Sequence, residues 1–307
     1  MVPQPLLSVV VPTRNRGDII AECLAHLLAQ SYFPLEIVVL DQSTDDLTRQ
    51  AFDQTVAHNR QSHVTVRYIH SERIGLDAAR NDGFMQTNGL WIAFCDDDVL
   101  VEENWAEAIV HEFQANPQVG MVFGQTRPYY PPEKGKRTRI SVKDSPDRQV
   151  FETRWTIVGC PPGAGNNMAI ARKVIERAGL FDERLGVGTD LPGGDEYEMV
   201  YRVLKHGYKV VYCPGAVAYH KRWLPEDKYL EVERGYYMGG AAALVKHCKQ
   251  PDIVATLLLA VEGGGRLVEI IYYSLFKRQK ENLHRAVVRA SGFYTGLALG
   301  WRMFGRG

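Results

Sequence analysis

The sequence has no surplus of charge of either sign. Its 307 residues carry 36 Lys and Arg against 36 Asp and Glu, a formal net charge of +0. A chain dedicated to holding nucleic acid shows a basic excess, so that class is set aside. Cysteine is scarce: five residues, at 23, 95, 160, 213 and 248, an odd number with no Cys-x-x-Cys pair. This argues against a disulfide framework or a structural zinc site and suits a reducing, cytoplasmic setting. Residues 1–7 show no basic segment followed by an apolar core, so no secretory signal is expected. Long apolar runs are missing too. The most apolar stretch, 253–276, is interrupted by Glu262, Arg266 and Glu269, whereas a membrane span needs about 20 uninterrupted apolar residues. There is no internal repeat and no low-complexity tract. With 45% hydrophobic and 23% charged residues, the composition is that of a folded chain. The length allows one α/β domain of roughly 200–250 residues plus an appendage.

What the first hundred residues do have is alternation. Residues 7–11 are a β-branched run closed by Pro12, the pattern of a buried strand. Residues 17–30 place Ile19, Ile20, Cys23, Leu24, Leu27 and Leu28 on one helical face. Further strands are expected at 35–40, 64–69 and 90–95. Helices are expected from a Thr44 or Asp45 cap to about residue 58, and over 77–87. This order predicts an α/β fold with a parallel, doubly wound sheet. Ligands of such sheets sit off the carboxyl ends of the strands, near a topological switch point. Three polar segments occupy those places: Pro12-Thr13-Arg14-Asn15, Asp41-Gln42-Ser43-Thr44-Asp45 and Asp96-Asp97-Asp98. Residues 125–154, with four prolines, read as a long loop, functional or mobile. Short helices follow at 172–179 and 197–206, then a strand at 209–212 ended by Cys213-Pro214, then a helix-rich region over 228–307.

Several constellations are suited to chemistry. Adjacent carboxylates at Asp96, Asp97 and Asp98 repel one another, and a shared hard divalent cation relieves that cost. Alternate residues of a strand point the same way, so Asp96 and Asp98 can address one ligand; an exposed acidic turn is the plainer alternative. In Gly193-Gly194-Asp195-Glu196-Tyr197-Glu198 the acids open a helix, which its dipole favours anyway. One of them can also serve as a general base toward a bound hydroxyl. His220 is either a structural histidine or a metal ligand across from Asp98. Arg80 offers either a surface ion pair or a diphosphate contact. The small-residue loop Gly163-Ala164-Gly165-Asn166-Asn167 offers either tight packing or room for a sugar or its acceptor.

In order along the chain, these segments resemble a family 2 glycosyltransferase with the GT-A fold. Ser8-Val9-Val10-Val11-Pro12-Thr13-Arg14-Asn15-Arg16 is similar to the family's opening strand and P-x-x-N-R turn. Val38-Val39-Leu40-Asp41-Gln42-Ser43-Thr44-Asp45 resembles its V-D-D-G-S-T-D segment, with Gln42 in place of the second acid. Ala79-Arg80-Asn81-Asp82-Gly83 is similar to A-R-N-x-G, and Asp96-Asp97-Asp98 to the D-x-D motif. Asn167 to Arg172, and Gly179-Leu180-Phe181-Asp182-Glu183, resemble N-x-A-x-x-R and G-x-F-D-E. Gly194-Asp195-Glu196-Tyr197-Glu198, with Arg202, Gly207 and His220, resembles the closing G-E-D-x-E … R … G … H, the first two acids being reversed. The likeness covers about residues 6–222.

The resemblance implies an inverting, single-displacement transfer from a nucleotide-diphosphate sugar, most often a UDP-sugar, with Mg2+ or Mn2+. By that likeness Pro12, Thr13, Asn15, Arg16 and Asp41 line the nucleoside pocket, and Arg80, Asp96 and Asp97 contact the donor. Asp98, Asp96 and His220 hold the metal, and Glu196 or Asp195 is the base. The acceptor implied is a glycan or lipid-linked hydroxyl in cell-envelope or exopolysaccharide synthesis. A nucleotidyltransferase shares the acidic α/β pattern, but its Gly-rich phosphate loop does not appear at 12–17. A third class is a glycan-binding protein that kept the fold without turnover. The expected division is a catalytic domain over 1–226 and a helical region over 227–307. From residue 277 onward seven Lys and Arg stand against Glu281 alone. A basic amphipathic tail suits an anionic membrane surface on the inner face of the cytoplasmic membrane. A helical cap or a homo-oligomer contact is the other reading.

Overall fold

The computed structural model describes residues 4–59, 64–131, 142–158, 162–221, 224–277 and 279–305, with the backbone of 136–137. Its first half follows the alternation: β1 (Leu7–Thr13), α1 (Gly17–Leu28), β2 (Leu35–Asp41), α2 (Leu47–His58), β3 (Val64–His70), α3 (Leu76–Met85) and β4 (Trp91–Cys95). β1 and β2 are buried at every position, as strands covered by helices on both faces must be. After β4 come β5 (Val99–Val101), α4 (Trp105–Ala115), β6 (Val119–Pro128), β7 (Lys136–Arg137), β8 (Gln149–Phe151) and β9 (Asn167–Ala171). Then follow α5 (Arg172–Ala178), α6 (Asp195–Lys205), β10 (Lys209–His220), β11 (Leu224–Pro225), α7 (Glu226–Cys248), α8 (Ile253–Ile271) and α9 (Lys280–Phe304).

The central sheet runs β3-β2-β1-β4-β9-β6-β10-β5, with β8 also on β10. It is parallel from β3 to β4 and between β6 and β10. β9 lies antiparallel to both β4 and β6, and β5 and β8 are antiparallel to β10. The sheet is thus mixed rather than parallel throughout. A parallel neighbour needs a helical crossover, and the only helical element among the described residues between β6 and β9 is a short 3-10 turn, Arg154–Ile157. β9 is pinned by the fully buried Trp105, whose indole N–H donates to Asn167 Oδ1 at 2.8 Å. The strand expected to stop at residue 212 runs on to His220. Its register with β6 shifts between Cys213 and Val217, so Pro214 and Gly215 sit in a bulge instead of ending the strand. Part of the expected long loop is strand as well, since β6 reaches Pro128 and β8 starts at Gln149. Cys23, Cys95, Cys213 and Cys248 are free thiols, and Cys160 lies outside the described residues.

The C-terminal helices form an up-down-up layer. α7 and α9 run in step, because a side chain at Gly292 would strike Arg234 O, one at Gly296 would strike Met238 O, and one at Gly300 would lie 2.9 Å from Ala242 Cα. Glycine every fourth residue lets the two backbones touch. Gly296→Val is expected to lower stability by about 3 kcal/mol, since overpacking here must move backbone; thermal unfolding measures it, and an unchanged midpoint would refute the close approach. α7 also covers the start of α6. Gly239 packs on the Gly193 carbonyl, and Glu198 of α6, buried, accepts from Lys246 Nζ at 2.8 Å and meets His247 Nε2 at 3.1 Å. This layer therefore caps the α/β half at the loop that leads into Asp195.

Candidate active site

β1 and β2 end side by side, with Thr13 opposite Asp41. Asn15 takes a φ of 54°, a left-handed turn that Asn tolerates better than most residues. There its Oδ1 accepts from Thr44 N at 3.0 Å, and its own N donates to Ser43 Oγ at 2.7 Å. Pro12 beneath it is buried, and Arg14 is exposed. Asp41 is fully buried, and both its oxygens are engaged: Oδ1 accepts from Ser43 N at 2.9 Å and from the Ser43 hydroxyl, Oδ2 from the Tyr68 hydroxyl at 2.5 Å. It braces the turn that follows β2, where the resemblance expected it to line a nucleoside pocket. Gln42, standing for the usual second acid, clips the backbone of Gly75. Its Nε2 donates to Gly75 O at 3.1 Å and its Oε1 accepts from Gly75 N at 3.2 Å.

At the end of β4 the three acids part. Asp97 turns back under the β1 loop, accepting from Thr13 Oγ1 at 2.7 Å and Arg16 Nη1 at 2.7 Å. Burial pushes its carboxyl up to about 6. It thereby holds Thr13 and Arg16 in place. Asp98 meets His220, Oδ1 to Nε2, at 3.3 Å, and Arg16 Nη1 at 3.2 Å. The continuation of β10 past Pro214 makes this meeting: His220 pairs with Val99 across to β5, and Lys221 N donates to Asp98 O at 3.1 Å. Burial raises the Asp96 carboxyl and Asp98 adds to the rise, against Arg80 as the strongest opposing charge.

Among the described residues, no three His, Cys, Asp or Glu side chains converge as a ready cation cage. Asp98 and His220 converge as a pair, with Asp96 adjoining. Mg2+ keeps several positions for water and substrate phosphate and needs few protein ligands. A carboxylate–imidazole pair beside a second carboxylate fits a cation shared with a diphosphate, and it does not fit a structural, fully protein-bound ion.

The second half of the site opens α6. Gly194 at its N-cap has a φ of 80°, a left-handed conformation that glycine takes without strain. It delivers two neighbouring acids to different fates. Asp195 Oδ2 accepts from Arg80 Nη1 at 2.7 Å, and the same nitrogen donates to Asp77 Oδ1 at 3.0 Å. Arg80 is only 1% exposed, its guanidinium held between two carboxylates; of the two readings the sequence offered, the ion pair is formed, and it is buried rather than on the surface. Burial alone would make it easier to deprotonate; Asp77 and Asp195 outweigh that and raise it. Glu196 stands looser, with Oε1 3.9 Å from Arg80 Nη2 and accepting from Gly165 N at 3.1 Å. Burial, reinforced by Asp195, pushes its carboxyl up to about 8. Arg80 thus joins the halves, felt by Asp96 on one side and by Glu196 on the other.

Two contributors were not singled out for these roles in the sequence. Asp77 pairs with Arg80 three residues on, a spacing that on a helix was a usable signal. Gly165 must lack a side chain, because a Cβ there would collide with Glu196 Oε1; its small-residue loop is tight packing around Glu196.

Known proteins bear on this geometry. The family model described as "Glycosyl transferase family 2" matches residues 8–178. The chain is 28% identical over 200 residues to the "Uncharacterized glycosyltransferase EpsJ" of Bacillus subtilis (strain 168), covering 61% of this chain and 54% of that one. It is 26% identical over 290 residues to the "Validoxylamine A glucosyltransferase" of Streptomyces hygroscopicus subsp. limoneus, 85% of this chain and 60% of that one. The matches span about half the length of such curated relatives. Among solved structures, the mannosyltransferase PcManGT from Pyrobaculum calidifontis, in complex with GDP-Man and Mn2+, shares the fold. Its TM-score is 0.65 at 18% identity, over 100% of this chain and 89% of that one. TarS 1–349 of S. aureus, in complex with UDP-GlcNAc, aligns at a TM-score of 0.61 and 16% identity, over 95% and 81%. A family model that opens in β1, takes in the acidic end of β4 and closes in α5 leaves one assignment: this chain belongs to glycosyl transferase family 2.

Proposed function

We propose that this glycosyltransferase acts by a single displacement with inversion. Its donor is a nucleotide-diphosphate sugar, with a UDP-sugar as the leading choice, and its acceptor is a hydroxyl of a glycan or lipid-linked molecule in cell-envelope or exopolysaccharide assembly. It works peripherally, at the inner face of the cytoplasmic membrane. The observation that carries the mechanism is the unequal treatment of two adjacent acids: Asp195 is fixed by Arg80 and Glu196 is not. A general base needs a raised proton affinity and access to the proton it takes, and Glu196 has both, with its side chain 15% exposed against 3% for Asp195.

Thr13, Asn15 and Arg16 form the wall against which the nucleoside lies, held in place by Asp97 and Ser43. Asp98 and His220, with Asp96 beside them, would hold Mg2+ or Mn2+. When bound, such an ion supplies Lewis-acid stabilisation of the charge that develops on the leaving diphosphate. Glu196 removes the acceptor hydroxyl proton as that oxygen bonds to the anomeric carbon and the bond to the diphosphate breaks on the opposite side. Retention through a covalent intermediate would need a carboxylate free to bond the anomeric carbon, and Asp195, the acid beside Glu196, is bound to Arg80. The donors seen with PcManGT and TarS, GDP-Man and UDP-GlcNAc, support the donor class.

The test is a thermal-shift screen of nucleotide sugars with and without Mn2+, on the wild type and Asp98→Ala. A donor at a hundred times its Kd stabilises the native state by about 2.7 kcal/mol. The wild type should show this only with Mn2+, and Asp98→Ala should lose it. An equal shift in Asp98→Ala, or in the presence of a chelator, overturns the metal assignment.

A further inference from the structure

α8 is built inside out. A helix packed on a water-facing protein turns its apolar stripe inward and its charges outward. Here Ile253, Leu257, Val261 and Val268, followed by Leu275 and Phe276 on the π-helical extension Tyr272–Lys277, are 45 to 74% exposed. Their spacing keeps them along one outer face. The charged residues of the same helix point the other way. Glu262 is buried, Arg266 meets Glu269 at 3.0 Å, and Glu269 meets Arg289 of α9 at 2.6 Å. The interruptions that make 253–276 unfit to span a bilayer therefore leave its outer face unbroken. No helix among the described residues is long and apolar enough to cross a membrane.

The ends of this face are marked. At the Ile253 end, Lys249 Nζ sits 3.8 Å from the centre of the Trp301 ring, itself 46% exposed, and Arg302 is exposed beside it. At the other end stand Tyr272, 42% exposed, and the exposed Lys277 and Lys280, with Glu281 as the neighbouring acid. The basic tail seen in the sequence contributes less than its count suggests. Arg285 and Arg289 turn inward onto Glu233, and Arg278 and Arg306 lie outside the described residues.

We propose that the outer face of α8 and its extension lies in the headgroup region of an anionic phospholipid bilayer, its axis in the plane of the surface. Apolar faces flanked by cations and by aromatic rings with polar edges suit that boundary. A second copy of this chain fits worse. Pairing two such helices, parallel or antiparallel, sets a cationic end against a cationic end, and like charges across an interface are penalised. The inference deepens the peripheral placement proposed above by naming the surface, and its test is blind to catalysis.

Flotation of the full chain with vesicles, without donor or acceptor, provides that test. The wild type should float with phosphatidylcholine–phosphatidylglycerol vesicles and not with phosphatidylcholine alone. Val268→Glu with Leu275→Glu, both exposed positions, should abolish flotation while circular dichroism and the melting temperature stay unchanged. Lys277→Gln and Lys280→Gln should each weaken binding about fivefold. Flotation of the double glutamate variant like the wild type would overturn the proposal, as would equal flotation with neutral vesicles. A wild-type dimer in sedimentation that the glutamates dissociate, with no vesicle binding, would give the face to a second copy instead.

Discussion

Glu196→Gln is expected to lower kcat by about 10²- to 10⁴-fold, the usual worth of a positioned general base, with donor binding nearly unchanged. Single-turnover kinetics with a bound donor measure the first part and a thermal shift the second. Because burial and Asp195 hold the Glu196 carboxyl at about 8, the wild-type rate should climb with pH toward that value and then level. A cation at Asp98 favours the ionised form and moves the limb lower. The same shift affects stability. Between the ordinary carboxyl value of 4.5 and about 8, the native state keeps a proton that the unfolded chain has released, so stability falls as pH rises through this window. Gln carries no such penalty. Without metal or donor, Glu196→Gln should melt above the wild type at about pH 9 and level with it at about pH 4. Loss of turnover in Asp195→Asn but not in Glu196→Gln would move the base by one residue and sink this assignment.

Arg80→Leu is expected to cost about 3–5 kcal/mol, the penalty for leaving a buried charge without its partner. Asp77 and Asp195 both rely on Arg80 Nη1, and burial with Asp195 nearby already lifts the Asp77 carboxyl well above its usual range. Urea denaturation measures the loss, and one below about 1 kcal/mol would show that the cluster does not bind as drawn. Adding Asp77→Asn to Arg80→Leu should recover part of it, because one stranded charge is then removed. Arg80→Lys should fall between, since an ammonium keeps the charge but not the reach and fixed geometry by which the guanidinium pairs both carboxylates through Nη1 and meets Gly165 O through Nη2. Turnover should fall with each variant in proportion to how far Asp195 and Glu196 lose their support.

The catalytic half was largely legible in the sequence because its signals are local. A β-branched run closed by proline is a buried strand wherever it sits, and the residue after it lies at a strand end. The elements misjudged were those whose fate depends on distant chain. Pro214 ends a strand by local rules, yet β10 continues because β6 on one side and β5 on the other give the segment after the bulge its partners. Among the described residues β9 has no helical crossover before it to announce a neighbour, and its place between β4 and β6 is set by packing.

By itself, then, the sequence determined the α/β class and singled out the candidate residues: Asp96 and Asp98 after β4, Glu196 at the start of α6 and His220 at the end of β10. Only the tertiary structure decided what each group is free to do. Asp41, Asp97 and Arg80 are engaged inside the protein, whereas Glu196 is left facing the site, and charge type alone cannot say which carboxylate has found a buried partner. The same holds at the other end of the chain. Periodicity placed Glu262, Arg266 and Glu269 among apolar residues without saying which face would meet α9. The ion pair across to Arg289 turned the charges inward, and that choice left the apolar face outside.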